Sequence, residues 1–321
     1  MANAAVKEKP QTAAGALQIK IDRSTLLKAL SHVQSVVERR GTIPILSNVR
    51  LGAQDGKLEL AATDMDIAVE DSVAATIGEQ SVTTVPAHTF YDIVRKLPEG
   101  SEVELKKDAD ATKLSIRCGS SRFSLATLPA EDFPVMAESD LSHHFSIPAT
   151  DCIALIEKTR FAVSTEETRY YLNGIYLHST EKDGVKVLRA VATDGHRLAR
   201  IELAMPEGAA GMPGIIIPRK TIGELRKLLE TGVEKVDVSL SSTKIRFRCG
   251  DATLTSKLID GTFPDYERVI PQGNDKIMEA AKRLNYAPSH AARSLKSKRT
   301  NKILFLIPDI YNPFYFGMIK G

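Results

Sequence analysis

The sequence predicts an α+β fold made of two tandem copies of one module, each with two helices packed on antiparallel sheet. An internal repeat of about 130 residues predicts the tandem arrangement. In each copy, stretches that alternate with period two are interspersed with two helical stretches, which predicts both kinds of element. With 43% hydrophobic and 26% charged residues, the 321-residue chain has the composition of ordinary globular proteins.

The repeat is clearest near the end of each copy. Residues 113–119, Lys-Leu-Ser-Ile-Arg-Cys-Gly, recur as residues 244–250, Lys-Ile-Arg-Phe-Arg-Cys-Gly. Three further matches keep the same order: Ala62-Thr63-Asp64 with Ala192-Thr193-Asp194, Arg95-Lys96-Leu97 with Arg226-Lys227-Leu228, and Phe133-Pro134 with Phe263-Pro264. We therefore expect two homologous domains, 17–140 and 141–275, after a disordered extension at 1–16.

The elements of each copy follow from local patterns. Alternating apolar residues bounded by Gly, Asp and Ser predict strands at 57–61, 103–107, 236–240 and 245–249. Apolar residues at helical spacing predict helices at 24–37, 87–97, 149–161 and 219–231. Ser24 and Thr150 are candidate N-caps of two helices, and Pro86 and Pro218 precede the other two, where a missing N–H costs little.

Charge is distributed unevenly along the chain. Residues 276–321 carry a net charge of +7, and residues 1–275 carry −4. Within 1–275, the four helical stretches sum to +4 and the remainder to −8. Basic helices in an acidic body favour a surface that follows a polyanion, and the competing interpretation is that these helix faces are simply solvated.

Several classes of protein are not indicated. No apolar run approaches the length of a membrane span, and residues 1–16 lack the apolar stretch of a secretory signal, so we expect a cytoplasmic protein. The three cysteines, Cys118, Cys152 and Cys249, fit neither a disulfide framework nor a zinc site. Cys118 and Cys249 occupy equivalent strand positions and are predicted to be buried structural thiols. We predict no metal and no cofactor.

Catalysis is also not indicated. Asp194 and His196 invite comparison with a catalytic triad, but side chains this close in a turn point apart, and no second acid is placed to orient the imidazole. The sequence contains no Gly-x-Ser-x-Gly elbow, phosphate-binding loop or His-Glu-x-x-His motif. We therefore predict that the protein is not an enzyme. The enzyme alternative would require His196→Ala to abolish a turnover.

Several motifs together resemble the β sliding clamp of bacterial DNA polymerase III, over about residues 17–276. They are Leu26-Leu27-Lys28, Thr42-Ile43-Pro44-Ile45-Leu46, Ala62-Thr63-Asp64, Arg122-Phe123-Ser124-Leu125, Arg169-Tyr170-Tyr171-Leu172-Asn173-Gly174, Ala192-Thr193-Asp194-Gly195-His196-Arg197-Leu198 and Phe263-Pro264-Asp265-Tyr266. The resemblance implies tandem DNA-clamp domains and a processivity factor of the replicative polymerase. In that family two subunits with three similar domains each form a ring, and the helices line its hole.

The resemblance implies two binding surfaces. Double-stranded DNA would be held without sequence specificity by Arg40, Lys28, Arg95, Lys96, Lys158, Arg160, Tyr170, Tyr171, Arg226 and Lys227. Arg40 could instead be a solvated loop residue, and one tyrosine could belong to the core. A hydrophobic pocket for short motifs of polymerase, clamp-loader and repair proteins would be formed by Leu172, Thr193, Gly195, His196, Arg197, Leu198, Pro264, Arg268 and Val269.

The pattern breaks near Lys276. We expect the third clamp domain to be missing, since residues 277–321 instead resemble part of a lactose-repressor-family transcriptional regulator, with Leu295 in the position of its hinge-helix leucine. We interpret 276–321 as a foreign basic tail, from a fused reading frame or a deliberate chimera. We expect that this polypeptide does not close a ring by itself, although the family forms homodimers. The alternative is a sequence-specific DNA-binding regulator that acts through the tail.

Overall fold

In the computed structural model the chain divides into two compact units. The structure describes residues 15–39, 42–136 and 140–270. Of these, the first unit comprises 15–136 and 248–256, and the second comprises 140–247 and 257–270. Arg40, most of the predicted N-terminal extension and the repressor-like segment lie outside the described residues.

The first unit contains two helices and two antiparallel sheets. The helices are α1, Arg23–Val33, and α2, Ala87–Lys96. The strands are β1 Leu17–Asp22, β2 Asn48–Gln54, β3 Lys57–Thr63, β4 Ile67–Ala74, β5 Thr76–Glu79, β6 Val82–Pro86, β7 Glu102–Lys107, β8 Lys113–Cys118 and β9 Ser121–Ala126. One sheet has the order β5-β1-β7-β8-β9; the other includes β4-β3-β2-β6, and its β4 pairs with β17, Ala252–Lys257.

The second unit repeats this plan. Its helices are α3, Ala149–Thr159, and α4, Arg219–Leu229. Its strands are β10 His143–Pro148, β11 Gly174–Lys182, β12 Val185–Thr193, β13 Leu198–Ala204, β14 Ile215–Pro218, β15 Lys235–Leu240 and β16 Lys244–Cys249. A four-stranded antiparallel sheet has the order β13-β12-β11-β14, and β10, β15 and β16 are neighbours in a second sheet. The predicted α+β class, with two helices packed on antiparallel sheet in each unit, is confirmed.

Three of the four helices begin directly after a proline. Pro86, Pro148 and Pro218 occupy the N-cap positions of α2, α3 and α4. The predicted cap at Thr150 is therefore wrong, because the strand ends at Pro148 and the helix begins at Ala149, so the N-cap lies two residues before Thr150. The predicted cap at Ser24 is also wrong. Asp22 caps α1 instead, since its carboxylate accepts the backbone N–H of Thr25 at 3.0 Å.

The cysteines lie in the interior. Cys118, Cys152 and Cys249 are all buried and form no disulfide, which confirms the interpretation of Cys118 and Cys249 as buried thiols. Cys118 ends β8 and Cys249 ends β16, at matching places in the repeat. The glycines that follow, Gly119 and Gly250, both have positive φ, at 56° and 65°, so each copy makes the same turn.

Candidate functional site

A hydrophobic cluster on one face of the second unit's four-stranded sheet forms the base of the predicted pocket. Thr193 pairs with Leu198 across β12 and β13, and two residues along the same strands Val191 pairs with Arg200. Leu172 and Leu198 are buried in this cluster together with Val191, Ile216, Phe263 and Tyr266. Phe263 and Tyr266 come from a segment that follows the last strand, so distant parts of the chain meet at this base.

The turn between β12 and β13 has a defined internal geometry. Thr193 Oγ1 donates to the carbonyl oxygen of Arg197 at 2.8 Å. Asp194 Oδ1 accepts the backbone N–H groups of His196 and Arg197, at 2.9 and 3.0 Å. Burial by itself raises the pKa of Asp194, but these hydrogen bonds hold it below its ordinary value of 3.8. Gly195 takes a φ of 88°, which favours glycine.

The first unit contains the same turn without the histidine. Thr63 Oγ1 donates to the carbonyl oxygen of Ile67 at 2.8 Å. Asp64 Oδ1 accepts the N–H groups of Asp66 and Ile67, at 2.9 and 2.7 Å. Met65, with a φ of 80°, stands in place of the glycine. Asp194 Oδ2 additionally accepts from Arg197 Nε at 3.0 Å. Because the aspartate accepts the same two backbone N–H groups in both units, its role beside His196 is to shape the turn.

The rim of the pocket is exposed. Gly195 and His196 are accessible at the turn. Val269 is 60% exposed and lies on a 3-10 helix, Tyr266–Val269, that also carries Arg268. Pro264, also exposed, directly follows the buried Phe263. A buried apolar base below an exposed rim is suited to receive an apolar side chain of a partner.

Arg169 lies against Gly195 of the predicted pocket and was not among the predicted site residues. Its Nη1 atom would lie 2.6 Å from a Cβ added to Gly195, so the guanidinium covers the glycine. Arg169 Nη2 is 2.6 Å from Glu166 Oε1, and this partner raises the pKa of Arg169 and lowers that of Glu166. A cleft of about 300 Å³ adjoins this pair and is lined in part by Phe161, Asp194 and Glu166. The spacing of Glu166 and Arg169, three residues apart on a helical turn, is the sequence pattern that could have predicted this ion pair.

The two tyrosines have different surroundings. Tyr170 is 53% exposed, whereas Tyr171 is half-buried and packs against the hydrophobic cluster. Their rings meet edge to face with centroids 5.9 Å apart. Tyr170 is thus accessible to a ligand, and Tyr171 contributes to the core as well.

The predicted DNA-binding cations of the first unit are on exposed positions of α1 and α2. Lys28, Arg95 and Lys96 are all exposed. Arg95 is paired with Asp92 of the same helix at 3.0 Å. The two helices pack together, and Arg23 of α1 donates to the carbonyl oxygens at the end of α2.

In the second unit most of the predicted cations have acidic partners. Arg226 of α4 lies 2.9 Å from Glu157 of α3 and 3.1 Å from Glu230. The two remaining pairs are Arg160 with Glu157 at 3.4 Å and Lys227 with Glu224 at 2.9 Å. Among residues 15–39, 42–136 and 140–270, Lys28, Lys96 and Lys158 have no carboxylate within ion-pair distance. These three lysines are the cations most available to an anionic ligand.

A buried charged group next to the pocket was also missed. Arg189 and Glu202 are 5% and 4% exposed, and Arg189 Nη2 lies 2.9 Å from Glu202 Oε1. Lys182 Nζ lies 2.6 Å from the other carboxylate oxygen of Glu202. An arginine within an otherwise apolar stretch of β12 could have predicted this pair, because a buried charge requires a partner of opposite charge.

Two searches of the described part of the chain gave negative results. No cluster of three or more His, Cys, Asp or Glu side chains there could hold a metal ion. None of the helices in the same residues has the length and apolar character needed to cross a membrane.

Comparisons with known proteins show which family the chain belongs to. Residues 17–137 match the N-terminal domain, and residues 146–265 the central domain, of the DNA polymerase III beta subunit. A beta sliding clamp from Caulobacter vibrioides is 55% identical over 262 residues, which are 82% of this chain and 70% of that protein. The beta sliding clamp of Escherichia coli K12 is 42% identical over 267 residues, with the same coverage.

Solved structures give the same result. The sliding clamp of Bartonella birtlesii bound to griselimycin has a TM-score of 0.78 and 48% identity, covering 84% of this chain and 74% of that one. The Caulobacter crescentus clamp with polyethylene glycol bound has a TM-score of 0.80 and 46% identity, covering 92% and 84%. The chain belongs to the family of DNA polymerase III beta subunits, the beta sliding clamps.

Proposed function

We propose that this chain is a processivity factor of the sliding-clamp type, whose closed ring would encircle duplex DNA but which does not close that ring by itself. It would bind polymerase, clamp-loader and repair proteins through the pocket in its second unit. The observation that carries the proposal is the buried base at Leu172 and Leu198 beside the exposed rim at Gly195 and Val269. The griselimycin complexes of the Bartonella birtlesii and Pseudomonas aeruginosa clamps are consistent with a ligand site in such proteins. Because the proposed ligand is DNA, we propose that the protein acts in the cytoplasm.

Charge supports contact with phosphates and not with bases. Lys28, Lys96 and Lys158 lie on helices, and lysine ammonium groups at such positions attract phosphate without reading sequence. The ion-paired arginines would contribute to the field around the helices, since a direct phosphate contact would compete with their carboxylates. Arg40, in the same proposed set, lies outside the described residues.

Ring closure remains a sequence prediction. The family resemblance implies a homodimeric ring, and we expect that this polypeptide does not close one alone. Light scattering after gel filtration tests this expectation, and a dimer retained on circular but not linear DNA would contradict it. The regulator alternative rests on 276–321, so it predicts sequence-specific footprints that vanish when that segment is deleted.

The pocket is tested with a matched pair of valine substitutions. Val269 and Val185 are 60% and 61% exposed, and both lie in the second unit, but only Val269 belongs to the proposed rim. We expect Val269→Ser to weaken griselimycin binding about tenfold, because an apolar contact is lost at the rim. Val185→Ser should bind griselimycin with the affinity of the unsubstituted chain. Isothermal titration calorimetry measures both affinities. Equal affinities for both variants would refute the proposed pocket.

A further inference from the structure

Three side chains stand in one row across the sheet below the pocket. His178 on β11 is opposite Arg189 on β12, and Arg189 is opposite Glu202 on β13. Residues directly opposite each other on antiparallel strands present their side chains to the same face. The pair Thr193 and Leu198 lies four residues along the same strands, so the row shares a face with the pocket base.

Tyr266 connects this row to the helix at the rim. Arg189 Nη1 donates to the Tyr266 hydroxyl at 2.8 Å, and His178 Nε2 lies 2.8 Å from the same oxygen. Arg189 also donates to the carboxylate of Glu267. Tyr266 is 7% exposed and is the first residue of the 3-10 helix that ends at Val269. The helix is therefore held at its start by hydrogen bonds with the buried Arg189 and the half-buried His178.

A stack of rings supports the same segment. The His178 ring stacks on Tyr176 with centroids 4.7 Å apart, and Tyr176 stacks on Phe263 at 4.8 Å. Phe263 in turn meets Tyr266 edge to face at 6.4 Å. Pro264 of the rim follows Phe263 directly, so Phe263 and Tyr266, which lie on either side of Pro264, are both linked to His178 through aromatic contacts.

The hydrogen bonds fit a neutral His178. The Tyr266 hydroxyl accepts from Arg189, so its single proton is available to donate to His178 Nε2. The His178 proton then sits on Nδ1, 3.2 Å from the carbonyl oxygen of Ser179. A proton added at Nε2 would point at the Tyr266 oxygen, leaving the hydroxyl proton without this acceptor.

The charges around His178 come from four elements, β11, β12, β13 and the 3-10 helix. Arg189 of β12 and Glu267 of the 3-10 helix face it, and Glu202, Lys182 and Arg200 are the charged partners beyond them. Burial lowers the pKa of His178 below 6.5, while the Ser179 carbonyl and Glu267 oppose the shift and Arg189 adds to it.

We propose that Arg189, Tyr266 and His178 are positioning residues for the pocket: they fix the 3-10 helix that carries Arg268 and Val269, and protonation of His178 releases it. The inference rests on the proposed function of the pocket as a partner site. It assigns these residues no contact with the bound ligand. They would affect affinity only through the position in which they hold the 3-10 helix at the rim.

The test uses the full chain and a series of griselimycin titrations from about pH 8 down to about pH 4.5, because burial holds the pKa of His178 below its ordinary value of 6.5. Tyr266→Phe removes only the hydroxyl, and we expect about tenfold weaker binding at the higher pH. His178→Gln keeps a neutral acceptor near the position of Nε2 but loses the ring contacts with Tyr176 and Tyr266, so it should bind more weakly than the unsubstituted chain at the higher pH and show no further decline at the lower pH. Tyr91→Phe, on α2 of the first unit, is the matched control and should change nothing.

The outcomes separate this inference from the proposed pocket. If the unsubstituted chain binds griselimycin and Val269→Ser weakens binding, the pocket stands. With the pocket standing, unchanged binding by Tyr266→Phe overturns the positioning role. If the griselimycin affinity of His178→Gln falls with acid as that of the unsubstituted chain does, the positioning role is also overturned. This second variant provides the test if Tyr266→Phe does not fold. Faster amide hydrogen exchange at 263–270 in Tyr266→Phe is the expected structural result.

Discussion

Thr63 and Thr193 make the same hydrogen bond in the two units. Each Oγ1 donates to the carbonyl oxygen four residues later, at 2.8 Å in both cases. Each also accepts a backbone N–H, from Met65 at 3.0 Å and from Gly195 at 3.1 Å. The duplicated turn gives each residue at the pocket a counterpart away from it, which provides an internal control.

The first prediction compares the two turn aspartates. Asp194→Ala and Asp64→Ala each remove a carboxylate that accepts two backbone N–H groups. We expect each variant to lower the free energy of unfolding by about 1 to 2 kcal/mol, measured by urea denaturation. Only Asp194→Ala should also weaken griselimycin binding, because its turn carries Gly195 and His196.

A different pattern would contradict this interpretation of the aspartates. If Asp64→Ala weakened griselimycin binding as much as Asp194→Ala, the loss would reflect general destabilisation and not the shape of the pocket turn. If Asp194→Ala left the unfolding curve unchanged, its role in shaping the turn would be wrong.

The second prediction concerns Gly195 and its cover by Arg169. Gly195 and Gly184 have φ values of 88° and 78°. A Cβ added to Gly195 would lie 2.6 Å from Arg169 Nη1, whereas a Cβ added to Gly184 would have no atom within 4 Å. Alanine at either position should cost about 1 kcal/mol of stability, from the left-handed backbone conformation. Because the crowding atom is the mobile end of Arg169, Gly195→Ala should move the guanidinium away from Glu166 and change griselimycin affinity.

Calorimetry and urea denaturation on the two glycine variants check this prediction. Gly184→Ala should bind griselimycin unchanged while losing similar stability. If Gly195→Ala also binds unchanged, Arg169 does not influence the pocket.

The third prediction tests the buried pair of Arg189 and Glu202. Glu202→Gln leaves Arg189 without its main counter-charge, and we expect a loss of about 3 kcal/mol of unfolding free energy. Burial alone raises the pKa of Glu202, but the hydrogen bond from Lys182 and the charges of Arg189 and Arg200 hold it below 4.5. The carboxylate therefore stabilises the fold above about pH 4.5, and this contribution is lost as the pH falls through the folded-state pKa.

The measurement is urea denaturation of both proteins from about pH 7 down to about pH 3.5. The difference between Glu202→Gln and the unsubstituted chain should shrink with falling pH. Glu181→Gln, at an exposed position on β11, is the control and should cost little. A difference that does not depend on pH would show that the charge of Glu202 is not what stabilises the fold.

The sequence predicted the features that depend on local pattern. Apolar periodicity located all four helices, and the repeat predicted two units of the same α+β plan, which the structure confirms. The family is confirmed as well, and with it the prediction that the chain is not an enzyme. The cap at Asp22 was missed because Ser24 is an equally good capping residue by type, and only the backbone path decides between them.

Features that depend on distant contacts could not be predicted. Arg189 and Tyr266 are 77 residues apart, and no periodicity links the two positions. The sequence pointed to cations on the helices but not to their partners, because the pair of Arg226 and Glu157 joins two helices. Which cations are available to DNA therefore became visible only once the helices were packed together.

The last prediction compares an available cation with a paired one. Lys158 on α3 has no carboxylate within ion-pair distance among the described residues, whereas Arg226 on α4 lies close to Glu157 and Glu230. If Lys158 meets a phosphate, Lys158→Ala should reduce the slope of log affinity for duplex DNA against log salt by about 0.9. Arg226→Ala should change the slope less, because that guanidinium would have to leave its carboxylates to reach a phosphate.

Fluorescence anisotropy with a labelled duplex over a salt series measures both slopes. Arg226→Ala should instead lower the free energy of unfolding by up to about 1 kcal/mol, since its ion pairs connect α3 and α4, and Lys158→Ala should leave unfolding unchanged. The two variants remove the same formal charge, so a difference in slope cannot come from net charge alone. Identical slopes would mean that ion pairing does not decide which helix cations meet the DNA.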